Sequence, residues 1–227
     1  MILRDYTLPK KPNPNNKEEI KDAIRVSSYF MKYASDELKK DKLFAKECMN
    51  IDGNSIQYFN EEIRNNKEVA LEAVKNKSYA YNYISNKLKD DEDIAKIAVR
   101  DKWNLEAMNF QLRDNKEIVL LAISYNQDAL EYASDRISND KEVVIQAVKQ
   151  DGWALKYASD RLKDDKEVVL QAVKQDENAL AYASQKINEL CKDKDPVQTL
   201  EKAIAYDKLK TQLKPKADEK PAQKLKI

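Results

Sequence analysis

A 25-residue period runs through most of this 227-residue chain and limits it to folds made by stacking one small unit. Asp140–Asp151 (DKEVVIQAVKQD) returns one period later as Asp165–Asp176 (DKEVVLQAVKQD), and Ala154–Ser159 (ALKYAS) returns as Ala179–Ser184 (ALAYAS). Units open near Asn16, Asp41, Asn66, Asp91, Asn115, Asp140 and Asp165, so seven of them fill about 16–189. Six carry tyrosine at one column: Tyr33, Tyr58, Tyr83, Tyr132, Tyr157 and Tyr182. Two residues on stand Ser35, Asn60, Ser85, Asn109, Ser134, Ser159 and Ser184, and a small residue recurs at Ala23, Cys48, Ala73, Ala98, Ala122, Ala147 and Ala172.

Within a unit, Val143, Val144, Ala147 and Val148 share one side of a helix, and Leu155, Ala158 and Leu162 mark the buried stripe of a second. Each unit therefore reads as a hairpin of two helices of roughly ten residues. Asp164 with Glu167, Asn65 with Glu68, Asp114 with Glu117 and Asn139 with Glu142 have the spacing of a capping box. Gly53 and Gly152, the only glycines, share one inter-helix column, where positive φ is the expected use. All six prolines lie outside the repeats, as helix interiors require.

One such hairpin exposes too much apolar surface to stand alone, so neighbours must share their faces. The expected architecture is all-α: an alpha-solenoid of about seven 25-residue hairpins with a C-terminal capping helix. Its divisions are an N-terminal extension over 1–15, the array over 16–189, the capping helix over 190–210 and a disordered Lys/Pro-rich tail over 211–227. Glu19 replaces the apolar residue of Phe44, Val69, Ile94, Ile118, Val143 and Val168, as a terminal unit should. Asp195-Pro196-Val197-Gln198 has the pattern of a helix start, and Val197, Leu200, Ala203 and Ile204 give that helix an apolar stripe.

The fourth unit is one residue short. Alignment by its flanks puts Ala107 at the tyrosine column, Met108 where the last three units have alanine, Phe110 where neighbours have aspartate, and Trp103 at the inter-helix turn. The regular tyrosines suit a ladder between units, so the candidate partner contacts are aromatics that do not recur uniformly: Tyr79, Trp103, Phe110, Tyr125 and Trp153, with Tyr29 of the same kind. A candidate basic surface is the near-repeating column Arg64, Lys89, Arg113 and Lys163, joined by Lys39. A second cationic column reads Arg25, Lys75, Arg100, Lys149 and Lys174. Solvation and i,i+4 pairing are the plainer roles of such columns.

Charge and composition narrow the function classes. A formal net charge of +1 divides into +2 for residues 1–15, +4 for 191–227 and −5 for 16–190, unlike a protein held to nucleic acid chiefly by phosphates. A mean hydropathy of −0.80 and the lack of a long apolar run give no membrane span, and the opening residues do not read as a secretory signal. The expected resting place is the cytoplasm of the producing cell, with export as an effector left open. Histidine is absent, Cys48 sits in the small core column and Cys191 is distant, so no metal site, cofactor site or catalytic residue is predicted. Two glycines cannot build a phosphate cradle, and recurrent carboxylates at helix starts serve as caps.

The phrase Asp165–Asp176, preceded by Tyr157–Asp164 (YASDRLKD), resembles family 4116 of the domains of unknown function. The likeness covers roughly 41–189 closely and 16–40 more loosely, and it weakens at 103–110. It implies short tandem helical repeats of the kind carried by bacterial, protist and large-virus proteins, including effector-like proteins of intracellular bacteria, and offers no catalytic or binding residues to transfer. The function expected is a non-enzymatic protein-protein interaction scaffold or effector-like binding module. The alternative is a nucleic-acid-associated helical solenoid whose Lys/Arg columns contact the phosphate backbone. A protein partner and a monomer or weak oligomer are expected.

Overall fold

A computed structural model of the chain describes residues 10–212, apart from the side chains of residues 102 and 103. Residues 1–9 of the expected extension and 213–227 of the expected tail lie outside that description. All regular structure among the described residues is helical. Two compact units divide between Val143 and Val144. The first holds α1 (Lys17–Val26), α2 (Lys42–Ile51), α3 (Glu61–Arg64), α4 (Lys67–Asn76), α5 (Glu92–Ala98), α6 (Lys102–Glu106), α7 (Phe110–Arg113), α8 (Lys116–Tyr125) and α9 (Asp135–Ser138). The division falls within α10 (Lys141–Gln150); beyond it lie α11 (Asp160–Lys163), α12 (Lys166–Gln175), α13 (Gln185–Cys191) and α14 (Pro196–Gln212).

Each repeat opens on an Asn or Asp whose side chain accepts backbone N–H groups two or three residues on, as Asp41 does from Leu43 and Phe44 and Asp165 from Glu167 and Val168. The cap is thus one residue later than the capping-box spacing indicates. Asp165 has the extended backbone a cap needs (φ −82°, ψ 112°), whereas Asp164 (φ −97°, ψ −2°) ends the preceding short helix α11. Behind the cap, Phe44, Val69, Ile94 and Ile118 and the small column Cys48, Ala73, Ala98 and Ala122 are buried, and α1, α2, α4, α5 and α8 pack in succession.

The second half of the hairpin is two pieces rather than one ten-residue helix. Gly152–Tyr157 forms a 3-10 helix, Ala158 and Ser159 are extended, and α11 then makes a single turn. The break lies at the Ser/Asn column because its oxygen accepts the N–H three residues on, from Ile63 at Asn60, Ile137 at Ser134 and Ile187 at Ser184. A hydroxyl or amide placed there stabilises a helix start and competes with a continuous helix. The same residues join neighbours: Ser184 N–H donates to the Lys163 carbonyl at 2.9 Å while its Oγ donates to Asp164 at 2.7 Å. Ser85 repeats both bonds with Arg64 and Asn65, and Ser134 with Arg113 and Asp114. Six of the seven serines or asparagines of the column act as such caps, whereas the Ser85 hydroxyl makes only the bond to Asn65.

Gly53 and Gly152 do not adopt positive φ. Their requirement is space: a Cβ at Gly53 would lie 2.2 Å from the Ala73 carbonyl oxygen, and one at Gly152 would lie 2.5 Å from that of Ala172. The next repeat's first helix closes on each turn, and its last side chain holds it. Asn76 accepts the Gly53 N–H at 2.9 Å, and Gln175 accepts the Gly152 N–H at 2.8 Å.

Successive first helices run the same way, since Lys67 at the start of α4 pairs with Asp91 and Asp93 at the start of α5. In the second unit α14 reverses this direction. Lys166 at the start of α12 pairs with Asp207 far along α14, while Lys174 near its end pairs with Glu201 in the first half of α14. Asp195 accepts the Gln198 N–H to start α14, and Leu200 is fully buried against its neighbours.

Candidate binding surface

The missing residue of the fourth repeat is removed from the end of its first helix. α5 stops at Ala98 after seven residues, while α4 and α8, which it lies between, run for ten. The ends of α4 and α8 therefore overhang the stunted α5 and leave a notch of about 590 Å³, lined by Asn76, Lys77, Tyr79, Arg100, Tyr125 and Asn126 with Ser78 and Asp101. Two of the expected aromatics meet here: Tyr79 is 47% exposed and Tyr125 51%.

Asn104 repairs the scaffold beneath the notch. It stands where three regular repeats place Ala129, Ala154 and Ala179, and it is fully buried. Its Nδ2 donates to the Ala98 carbonyl at 2.8 Å and to the Ser78 carbonyl at 2.9 Å, and its Oδ1 accepts from Asn82 at 3.3 Å. The Ala98 carbonyl also accepts the Asp101 N–H at 3.1 Å, so the amide adds a second donor there and ties the Ser78 turn to the shortened helix, at roughly 0.5–1.5 kcal/mol per bond. Tyr81 is a second adjustment, a buried tyrosine in a column of aliphatics, whose hydroxyl donates to the Lys89 carbonyl at 2.8 Å. Burial raises its pKa. Neither residue was singled out from sequence; Asn104 in an alanine column was the available signal.

The remaining expected contacts are dispersed. Phe110 begins α7, is 63% exposed and does not line the notch. The Trp103 side chain lies outside the described residues. Trp153, in the second unit, packs its ring 5.5 Å from that of Tyr182 and donates through Nε1 to Asp176 at 2.7 Å, which holds the Asp176 carboxyl below its usual range. Tyr29 packs likewise on Tyr58 of the following repeat, with ring centroids 6.3 Å apart. Tyr29, Tyr79 and Trp153 share one column of the turn; the column that would receive Tyr79 in the next repeat holds Ala107. The ring of Tyr79 instead meets Tyr83 of its own repeat, at 5.6 Å.

The cationic column ends the short helices rather than forming a free stripe. Arg64, Lys89, Arg113 and Lys163 are all half-buried; Arg64 pairs with Glu61, and Nε of Arg64 and of Arg113 is buried without a partner. Lysines of the first helices are spent between repeats, with Lys42 and Lys46 together holding the Glu68 carboxyl down to about 2. Such exposed pairs contribute little stability individually, but they order the surface charge.

Among the described residues no group of three metal-ligating side chains is placed to hold an ion, and no helix is long and apolar enough to cross a membrane. Cys48 is fully buried, and burial pushes its thiol up to about 12, the opposite of an activated nucleophile.

A fold of helical hairpins packed pairwise, with its irregularities confined to turns and helix ends, defines an all-α tandem-repeat protein. The family model for DUF4116, a domain of unknown function, matches residues 16–64, 41–88, 66–113, 115–163 and 140–188. The chain belongs to that family. The matches open on the first three repeats and on the fifth and sixth, and none opens at Asp91, where the shortened repeat begins. Comparison with curated proteins and with solved structures gave no match.

Proposed function

We propose that the chain is a non-enzymatic interaction scaffold, an α-solenoid that engages a protein partner at the notch of its fourth repeat. The observation carrying this reading is the contrast in one aromatic column. Tyr29 and Trp153 pack on the next repeat's tyrosine, whereas Tyr79 faces a repeat that has alanine there and lines an open notch with Tyr125. Exposed aromatics beside a concave surface are the residues that dominate protein interfaces. The mixed charge of the array and the half-burial of Arg64 and Arg113 support a protein partner over a phosphate backbone.

The test is cross-linking mass spectrometry on a partner recovered from native or host cells, with the wild-type chain beside Tyr79→Ala/Tyr125→Ala. Cross-links concentrated on the ends of α4, α5 and α8, and lost in the double variant, are expected. Retention of the partner by a folded double variant would remove the notch from the interface. Binding of RNA or DNA that falls steeply with salt would replace the protein partner with a nucleic acid.

A further inference from the structure

We infer that the notch between α4, α5 and α8 receives a carboxylate side chain from an acidic, extended segment of the partner protein. This deepens the scaffold reading and rests on it.

The unoccupied polar groups of the notch are donors. Lys77 and Arg100 make no side-chain hydrogen bond or ion pair among the described residues, and both are exposed. Asn126 uses its Oδ1 to accept the Asp128 N–H, which leaves Nδ2 free to donate. The other groups are committed: Asp101 has a partner, Asn76 bridges to Gly53 and Asn50, and the Ser78 carbonyl accepts from Asn104. A ligand completing these bonds must bring acceptors, and a carboxylate facing a guanidinium makes the strongest such pair.

The field limits how much negative charge fits. α4 and α8 both end at the notch and the Asp101 carboxylate lines it; a helix C-terminus carries about half a negative charge, so the two ends and Asp101 together offset most of the charge of Lys77 and Arg100. No surplus remains for a run of phosphates, and a single carboxylate is held by direct charge-assisted bonds to Arg100 and Lys77. Tyr79 and Tyr125 supply flat, partly apolar walls for the stem and backbone beside it. The Lys-rich sequence 213–227 of the chain itself has the wrong sign to fill the notch.

A phage-displayed library of random dodecamers, selected on the full chain and on Arg100→Glu, tests the assignment. Wild-type selections should converge on peptides with Asp or Glu at a fixed position, and Arg100→Glu should shift that position to Lys or Arg. A fluorescein-labelled synthetic copy of the wild-type winner should bind Arg100→Glu about tenfold or more weakly, the scale of one lost charge-assisted pair. Circular dichroism verifies folding, and Lys77→Glu provides a second variant with the same expected direction. Selected peptides without carboxylates, no convergence, or equal affinity for wild type and both variants would each overturn the inference. The scaffold reading stands or falls separately on the cross-linking pattern, since a partner can be held at the notch through contacts that need no carboxylate.

Discussion

The turn at Gly152–Trp153 and the notch around Arg100 are built from the same repeat columns and come to opposite ends. At the first, a full-length α12 closes on the glycine, Gln175 caps its N–H, and the tryptophan is consumed by Tyr182 and Asp176. At the second, α5 is too short to close, alanine stands where a tyrosine would receive Tyr79, and Asn104 satisfies backbone carbonyls from below. An aromatic at this turn thus serves the stack or faces outward according to what the following repeat offers it. The side chain alone does not decide.

The hardest way to break the closed turn is Gly152→Ala. With its Cβ 2.5 Å from a backbone oxygen, α12 must shift, at an expected cost of about 2–3 kcal/mol, seen as a lower urea midpoint at unchanged m-value. Asn104→Ala restores the residue of the regular repeats yet should destabilise by about 1–2 kcal/mol, because the amide's bonds to the Ala98 and Ser78 carbonyls are lost and Ala98 keeps only the Asp101 N–H. A neutral outcome would mean the amide does not support the stunted helix. The smallest effects sharpen the contrast directly. Trp153→Phe, losing one indole hydrogen bond, should cost about 1 kcal/mol, and Tyr79→Phe about 0.3 kcal/mol or less. Equal costs by thermal unfolding would erase the distinction between an aromatic tied to the next repeat and one held only by its own repeat, as Tyr79 is by Tyr83.

The period, the core columns and the helical class were legible because each rests on side-chain spacing within one repeat. Val143, Val144, Ala147 and Val148 are all buried as that spacing requires. What escaped depends on the neighbour. Gly152 is set by the backbone of α12 rather than by its own φ, the 3-10 break follows from a Ser/Asn side chain turning to its own backbone, and the reversal of α14 appears only through Lys166–Asp207 and Lys174–Glu201. At the notch, Tyr79 and Tyr125 stood out as irregular aromatics, whereas Arg100 lay within a column of cations and became distinct only when the short α5 exposed its surroundings.

The serine and asparagine joints lie at the starts of the first helices, and the notch lies at their ends, about 15 Å away along a ten-residue helix. The fourth repeat lost a residue at one edge while Asn109 still donates to Asp90 at the other. Joint and notch thus sit at different ends of the same helix, and a change of length at its tail leaves the joint at its start in place.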